Sequence, residues 1–117
     1  MPFVVEKYKE VLVVVLDGTV DEDCVRELDE VLDTQLAGGT RHMVIDLIEV
    51  AYMKSACAGL IIKLYRDLST QGKRMALVKQ SEGFVRKFLD ITGVSQIIPA
   101  HESRDAAVQS LGVTLES

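Results

Sequence analysis

Between His42 and Leu60 the spacing of apolar residues changes period, and that change limits the folds open to the chain more than any other feature. Met43 to Leu47 is apolar except for Asp46, the pattern of a strand covered on both faces. From Ala56 onward Cys57, Leu60, Ile61, Leu64 and Leu68 fall three or four apart, as one face of a helix requires. A buried strand, a short connection and a helix starting at Ser55 make a βα unit, which needs a sheet with helices packed on it. Ser55 occupies the expected N-cap, where its hydroxyl would accept a hydrogen bond from a first-turn N–H. Four N–H groups without helical partners and the positive end of the helix dipole then meet at Ser55 to Ala58. Ser55, Ala56, Cys57, Ala58 and Gly59 are all small, so another surface can approach that backbone closely. If the chain has a site, it is expected here.

The remaining residues extend the same alternation. Phe3, Val4, Val5 and Tyr8 suggest a short first strand, and Val11 to Leu16 an apolar central one, broken by Asp17-Gly18-Thr19-Val20-Asp21. A helix from about Glu22 to Ala37 places Val25, Leu28, Val31, Leu32 and Leu36 on one side. Gly38-Gly39 ends it, because glycine tolerates the positive φ of a C-terminal cap. The helix from Ala56 runs to about Thr70, stopped by Gln71-Gly72, and Arg74 to Val78 is another strand. Glu82 to Thr92 reads as a helix presenting Phe84, Val85, Phe88 and Ile91, ended by Gly93. Ser95 to Ile98 reads as a last strand stopped by Pro99, and Ser103 caps a final helix carrying Ala106, Ala107 and Leu111.

From the second strand onward this is β-α-β-α-β-α-β-α, which implies a largely parallel sheet joined by right-handed crossovers. The first strand follows too short a turn for a crossover and is expected to pair antiparallel. The expected architecture is α/β: one domain over residues 1–117, a mostly parallel sheet of about five strands with an antiparallel first strand, packed by about four helices. Val13, Val15, Leu28, Leu32, Ile45, Leu47, Leu64, Leu77 and Phe88 are expected to form one core.

Charge narrows the function classes. The net charge is −5, and acids cluster in Asp17, Asp21, Glu22, Asp23, Glu27, Asp29, Glu30 and Asp33. Nucleic acid and anionic membrane are therefore not expected partners, since both need a basic patch. Without a signal peptide or a long apolar run, a cytoplasmic protein with no membrane insertion is expected. Cys24 and Cys57 form no metal-ligand spacing and no redox pair, and neither metal nor cofactor is expected. A cysteine at a helix N-terminus, such as Cys57, is a possible nucleophile. No histidine lies near it in sequence, which favours a small buried cysteine. Asp46 has the position of a receiver-domain phosphoacceptor, with Asp17 and Asp21 as a potential acidic pair. Gln96-Ile97-Ile98-Pro99 lacks the lysine such a site needs, so Asp46 is expected to bind loop N–H groups. His42 and His101 read as surface or strand-edge residues, and Lys73-Arg74 and Arg86-Lys87 as solvated pairs.

Four segments carry a resemblance. Val15-Leu16-Asp17-Gly18-Thr19-Val20-Asp21 is similar to the strand end "L-x-G-x-x-D", and Val44 to Met53 to the "lvlDls-x-v-x-f-m" strand and turn, of STAS domains. Lys87-Phe88-Leu89-Asp90-Ile91-Thr92-Gly93-Val94 resembles that family's "l-x-x-t-G-l" helix end, and Arg104-Asp105-Ala106-Ala107 its closing helix. These matches follow one another in order over nearly the whole chain. The resemblance, to the family of bacterial anti-sigma factor antagonists, implies a STAS-like fold and a regulatory binding module without enzymatic activity. The implied partner is an anti-sigma factor, a serine kinase of the GHKL type, whose capture releases a sigma factor. A monomer or weak homodimer is expected.

In that family the kinase phosphorylates a serine at the start of the second helix, in third place of the pattern Asp-Ser-Ser/Thr-Gly. This chain reads Lys54-Ser55-Ala56-Cys57, so the acceptor position is Ala56, which has no hydroxyl. Ser55 is the fallback, but its position on the helix is rotated by roughly 100° and its hydroxyl is expected to cap. Lys54 sets a cation beside the positive helix end, disfavoured by roughly 0.3–1 kcal/mol. The implied function is partner binding without the usual phosphoserine switch. Gly18, Thr19, Asp21, Lys54, Ser55, Ala56, Cys57 and Ala58 are expected to form the partner surface, at the C-terminal ends of the parallel strands. Two alternatives stay open. One is a STAS-type scaffold or accessory subunit, for example docking on an ABC transporter ATPase; the other is a small enzyme or receiver-like domain using Cys57 or Asp46.

Overall fold

The computed structural model describes residues 3–37, 39 and 41–112. Strands β1 (Phe3–Tyr8), β2 (Val11–Val20), β3 (His42–Met53), β4 (Met75–Val78) and β5 (Ala100–His101) form one sheet in the order β1-β2-β3-β4-β5. A two-residue turn, with Lys9 at a φ of 54°, makes β1 antiparallel to β2. Every later pair is parallel. The connections carry helices α1 (Glu22–Leu36), α2 (Ser55–Thr70), α3 (Phe84–Ile91) and α4 (Val94–Ile97), and α5 (Arg104–Ser110) follows β5.

Strand side chains alternate between faces, and this splits the expected single core in two. Leu12, Val14, Leu16, Met43, Ile45, Leu47, Met75 and Leu77 pack under α1 to α4, joined by Leu28, Leu32 and Leu64. Val11, Val13, Val44, Ala76 and Val78 turn the other way and meet Ala107, Val108 and Leu111 on or just after α5. Val13 therefore belongs to the second core, with Val15 only partly buried at its margin. Phe88 is likewise only partly buried against the first.

Three elements differ from the sequence expectation. The segments expected to break β2 and to follow β3 are themselves strand: β2 continues to Val20 and β3 to Met53. Their ladder survives two register shifts, between Val15 and Asp17 and between Gly18 and Thr19, which disrupt the alternation that would have revealed it. The expected strand at Ser95 to Ile98 is instead the single helical turn α4, entered from Gly93 at a φ of 83°. Turning there buries Val94 and Ile98, and the last strand begins after Pro99 rather than ending before it. A run of four residues is too short to show a period. Third, α3 begins at Phe84 and buries Val85 and Leu89, while Phe84 and Ile91 face outward. At the end of α1, Ala37 N–H donates to Thr34 C=O and Gly39 has a φ of 144°; Gly38 lies outside the described residues. Among the described residues, no helix is long and apolar enough to cross a membrane.

Candidate functional site

Beyond Asp46, where β4 stops pairing, β2 and β3 continue as a two-stranded ribbon. Gly18, at a φ of 64°, takes a left-handed conformation that suits glycine at a register shift. Thr19 lies opposite Tyr52 and Val20 opposite Met53. The Lys54 N–H then donates to Val20 C=O at 3.0 Å, so α1 and α2 start from adjacent strand ends. The geometry thus brings Gly18, Thr19 and Asp21 beside Lys54, Ser55 and Ala56, at the C-terminal ends of the parallel strands.

The two helix starts are built differently. Asp21 caps α1, its Oδ1 accepting from Cys24 N–H at 2.9 Å, and Glu22 and Asp23 stand in the first turn. In α2 the cap position belongs to Lys54, whose side chain accepts nothing, and no acid stands in the first turn. Ser55 is therefore not the N-cap, as the sequence suggests, but the first helical residue. The bond to Val20 holds Lys54 extended, so helical dihedrals begin one residue later than capping preference alone predicts. Ser55 is exposed and Ala56 half-buried. Cys57 and Ala58 do not belong to the expected partner surface: both are buried in the larger core. A first turn lying on a sheet must send such positions inward.

Burial, with Cys24 as a smaller cause, pushes the Cys57 thiol up to about 12. At neutral pH it is protonated and has no thiolate to offer as a nucleophile. Burial raises the Cys24 thiol too, reinforced by Asp21, Glu27 and Asp17. Asp46 is also buried, and its oxygens are occupied. Oδ1 accepts from Ile48 N–H at 3.0 Å and Oδ2 from Arg104 Nε–H at 2.8 Å. Arg104 also lies 3.5 Å from Glu6, so one guanidinium ties α5 to β3 and β1. This leaves no open carboxylate for a receiver-like reaction. No local pattern in the sequence pairs Arg104 with Asp46, yet a lone Asp inside a buried strand signals a missing donor or cation. At the opposite end of the sheet His42 Nδ1 accepts from Arg74 N–H at 3.0 Å, and burial followed by Lys73 lowers its pKa. A hollow of about 290 Å³ there, lined by residues including Tyr65, Lys73, Arg74 and Leu111, contains none of the expected site residues.

Next to the α2 start lies a row of three rings, of which the sequence pattern places only Phe88 in the core. The ring of Tyr52 stands 4.8 Å from that of Phe84, which stands 5.6 Å from that of Phe88. Tyr52 is 44%, Phe84 38% and Ile91 85% exposed. A cleft of about 90 Å³ opens beside them, between Leu47–Ala51 of β3 and Gly83–Val85.

Comparison with known proteins gives a consistent picture. The STAS domain family model matches residues 2–107. An anti-sigma-B factor antagonist of Staphylococcus aureus is 31% identical over 100 residues, covering 86% of this chain and 89% of that protein. One from Staphylococcus epidermidis is 32% identical over 88 residues, 75% of this chain and 81% of that protein. Among solved structures, an anti-sigma factor antagonist from Mycobacterium paratuberculosis superposes with a TM-score of 0.82 at 22% identity, over 95% of this chain and 93% of that one. The anti-sigma factor antagonist SpoIIAA in its unphosphorylated form gives 0.74 at 21%, over 95% and 99%. These structural likenesses establish the fold: a five-stranded sheet, mixed only at β1, with five helices.

Proposed function

The chain belongs to the STAS domain family, and from that membership we propose that it works as an anti-sigma factor antagonist, a regulatory binding protein without enzymatic activity. The observation that carries this reading is the likeness to anti-sigma-B factor antagonists across most of both chains. In this reading the partner is an anti-sigma factor of the GHKL serine-kinase type, met in the cytoplasm by a monomer or weak homodimer. Gly18, Thr19 and Asp21 contact it together with Lys54, Ser55 and Ala56. The uncapped first turn of α2 supports this, because its N–H groups are free of side-chain acceptors. Position 56 has no hydroxyl, so the kinase that the chain captures cannot switch it off there.

The test is incubation of wild type and Ala56→Ser with magnesium ATP and each serine-kinase anti-sigma factor of the host, followed by mass spectrometry and a binding assay. Wild type should bind and gain no phosphate. Ala56→Ser should be phosphorylated at position 56 and then lose the partner, since the group adds roughly −1.5 to −2 charges within the interface. Stoichiometric phosphate on wild-type Ser55 would mean that the switch has moved by one residue. Failure of wild type to bind any of these factors would overturn the antagonist role.

A further inference from the structure

The geometry points to a small-molecule site at the end of the sheet away from the α2 start. The hollow of about 290 Å³ between α2, α5 and the first residue of β4 takes a small carboxylate with an apolar body, such as an aryl acid. None of the residues proposed to meet a protein partner lines it, so this inference stands apart from the antagonist reading. The hollow exists because β5 starts late. It pairs with β4 only from Leu77, so Met75 and Ala76 have no strand on that side. In a parallel ladder alternate residues bond to the same neighbour. Leu77 and Lys79 donate towards β5, to Pro99 C=O and His101 C=O at 2.9 Å each. Met75 therefore turns its N–H and C=O the same way. Pro99 has no N–H to give that carbonyl, and β5 offers the Met75 N–H no acceptor. One backbone donor is left at the hollow.

Shape and charge together select the ligand. The lining is more apolar than polar, with Met75 and Leu111 buried and Tyr65 partly so. Ligand pockets of roughly 300–1,000 Å³ combine such a lining with a few placed polar groups, so this one suits a ligand at the small end. In a chain of net charge −5, the charged residues lining the hollow are Lys73, half-buried, and Arg74. Neither forms an ion pair among the described residues. Their field reaches His42, whose pKa both lower after burial does. Of the acids nearby in sequence or field, Asp67 lies about 200° round α2 from Tyr65, and Glu10, which acts on His42, does not line the hollow. The carbonyl ends of α2 and α5 add little negative charge. Leu68 and Ser69 C=O accept from Lys73 and Gly72 N–H, and Val108 and Gln109 C=O from Leu111 and Gly112 N–H. A guanidinium, an ammonium group and one N–H match a planar carboxylate, which arginine holds by two parallel bonds. Its apolar body then covers Met75 and Leu111, which inorganic phosphate would leave bare.

The experiment is an amide NMR titration of the whole chain with sodium benzoate, and in parallel with benzyl alcohol, sodium acetate and inorganic phosphate. Benzoate should shift the Ser69, Met75 and Leu111 amides saturably, with a Kd of about 1 mM or below. Benzyl alcohol has the ring without the charge, and acetate and phosphate the charge without the ring. Each should bind about tenfold more weakly. Arg74→Gln should raise the benzoate Kd about three- to tenfold. Ser69→Trp, which fills the hollow, should abolish binding. Both positions are exposed, so both variants should melt with wild type, which separates binding from folding. Benzyl alcohol or phosphate binding as tightly as benzoate would overturn the assignment of a carboxylate. Shifts that do not saturate, that gather instead at Lys54 to Ala56, or that persist unchanged in both variants would overturn the site itself.

Discussion

The starts of α1 and α2 stand side by side on paired strand ends, and the same physics has been applied to one and withheld from the other. Asp21 caps α1 and two acids complement its dipole. Lys54 leads into α2 with no acceptor, no first-turn acid, and a cation where the dipole is positive. Each first turn nevertheless buries one cysteine, Cys24 and Cys57, in the same core. The interiors match and the surfaces do not. Stability alone would favour a capped α2, so this exposed end is where a requirement other than folding is to be tested.

The largest effect should come from removing the floor both helices share. Leu47 is buried in the core that holds Cys24 and Cys57. Leu47→Ala should cost about 2–5 kcal/mol in urea unfolding, with both helices lost in one transition. A cost below about 1 kcal/mol would mean that the two starts do not rest on a common core.

Alkaline pH should then distinguish the two cysteines. The Cys57 pKa is raised from an ordinary 9.0 to about 12. The unfolded chain therefore loses this proton first, and the stability from burying a neutral thiol is complete below pH 9 and lost as pH rises towards 12. The loss is about 1.4 kcal/mol per pH unit, or roughly 4 kcal/mol over the interval. Urea titrations between pH 8.5 and 11, in roughly half-unit steps, should show this slope and its flattening in Cys57→Ala. Cys24→Ala should flatten it less. Equal slopes in wild type and Cys57→Ala would show that the α2 turn is open to water.

Much of this arrangement was legible in the sequence, and the failures have a common cause. Val11 to Leu16 and Met43 to Leu47 carry enough apolar residues to fix two parallel strands, and Leu28, Leu32, Leu60 and Leu64 enough period to fix two helices. The Lys54-Ser55-Ala56-Cys57 departure from the family pattern is visible without coordinates. The ribbon beyond Asp46 was not, because two register shifts erase its alternation. Nor was the true cap of α2: serine outranks lysine as a cap, but a cross-strand bond from Lys54 to Val20 decides the matter. Phe84 and Ile91 fit the period of a buried face, and only tertiary packing shows that α3 fully buries Val85 and Leu89, with Phe88 partly buried beside them. Local preference fails where a long-range contact sets the backbone.

The smallest effect is the most direct test of the contrast. Asp21→Ala should lower stability by about 1 kcal/mol, the ordinary value of an N-cap. Lys54→Asp does the reverse to α2. It supplies the missing acceptor at a position whose backbone is already extended, at φ −82° and ψ 158°, as a cap requires. It also replaces a cation at the positive helix end by an anion. The gain should be about 0.5–1 kcal/mol, read as a higher urea midpoint at unchanged slope. If Lys54 belongs to the proposed docking surface, the affinity for the anti-sigma factor should fall in the same protein, since a carboxylate would replace the ammonium group there. Gain of stability with loss of binding is the signature of a surface kept imperfect for a partner, as a core or cap position loses both or neither. A variant that gains neither stability nor loses affinity would make Lys54 an ordinary surface lysine, and the difference between the two helix starts would then carry no functional meaning.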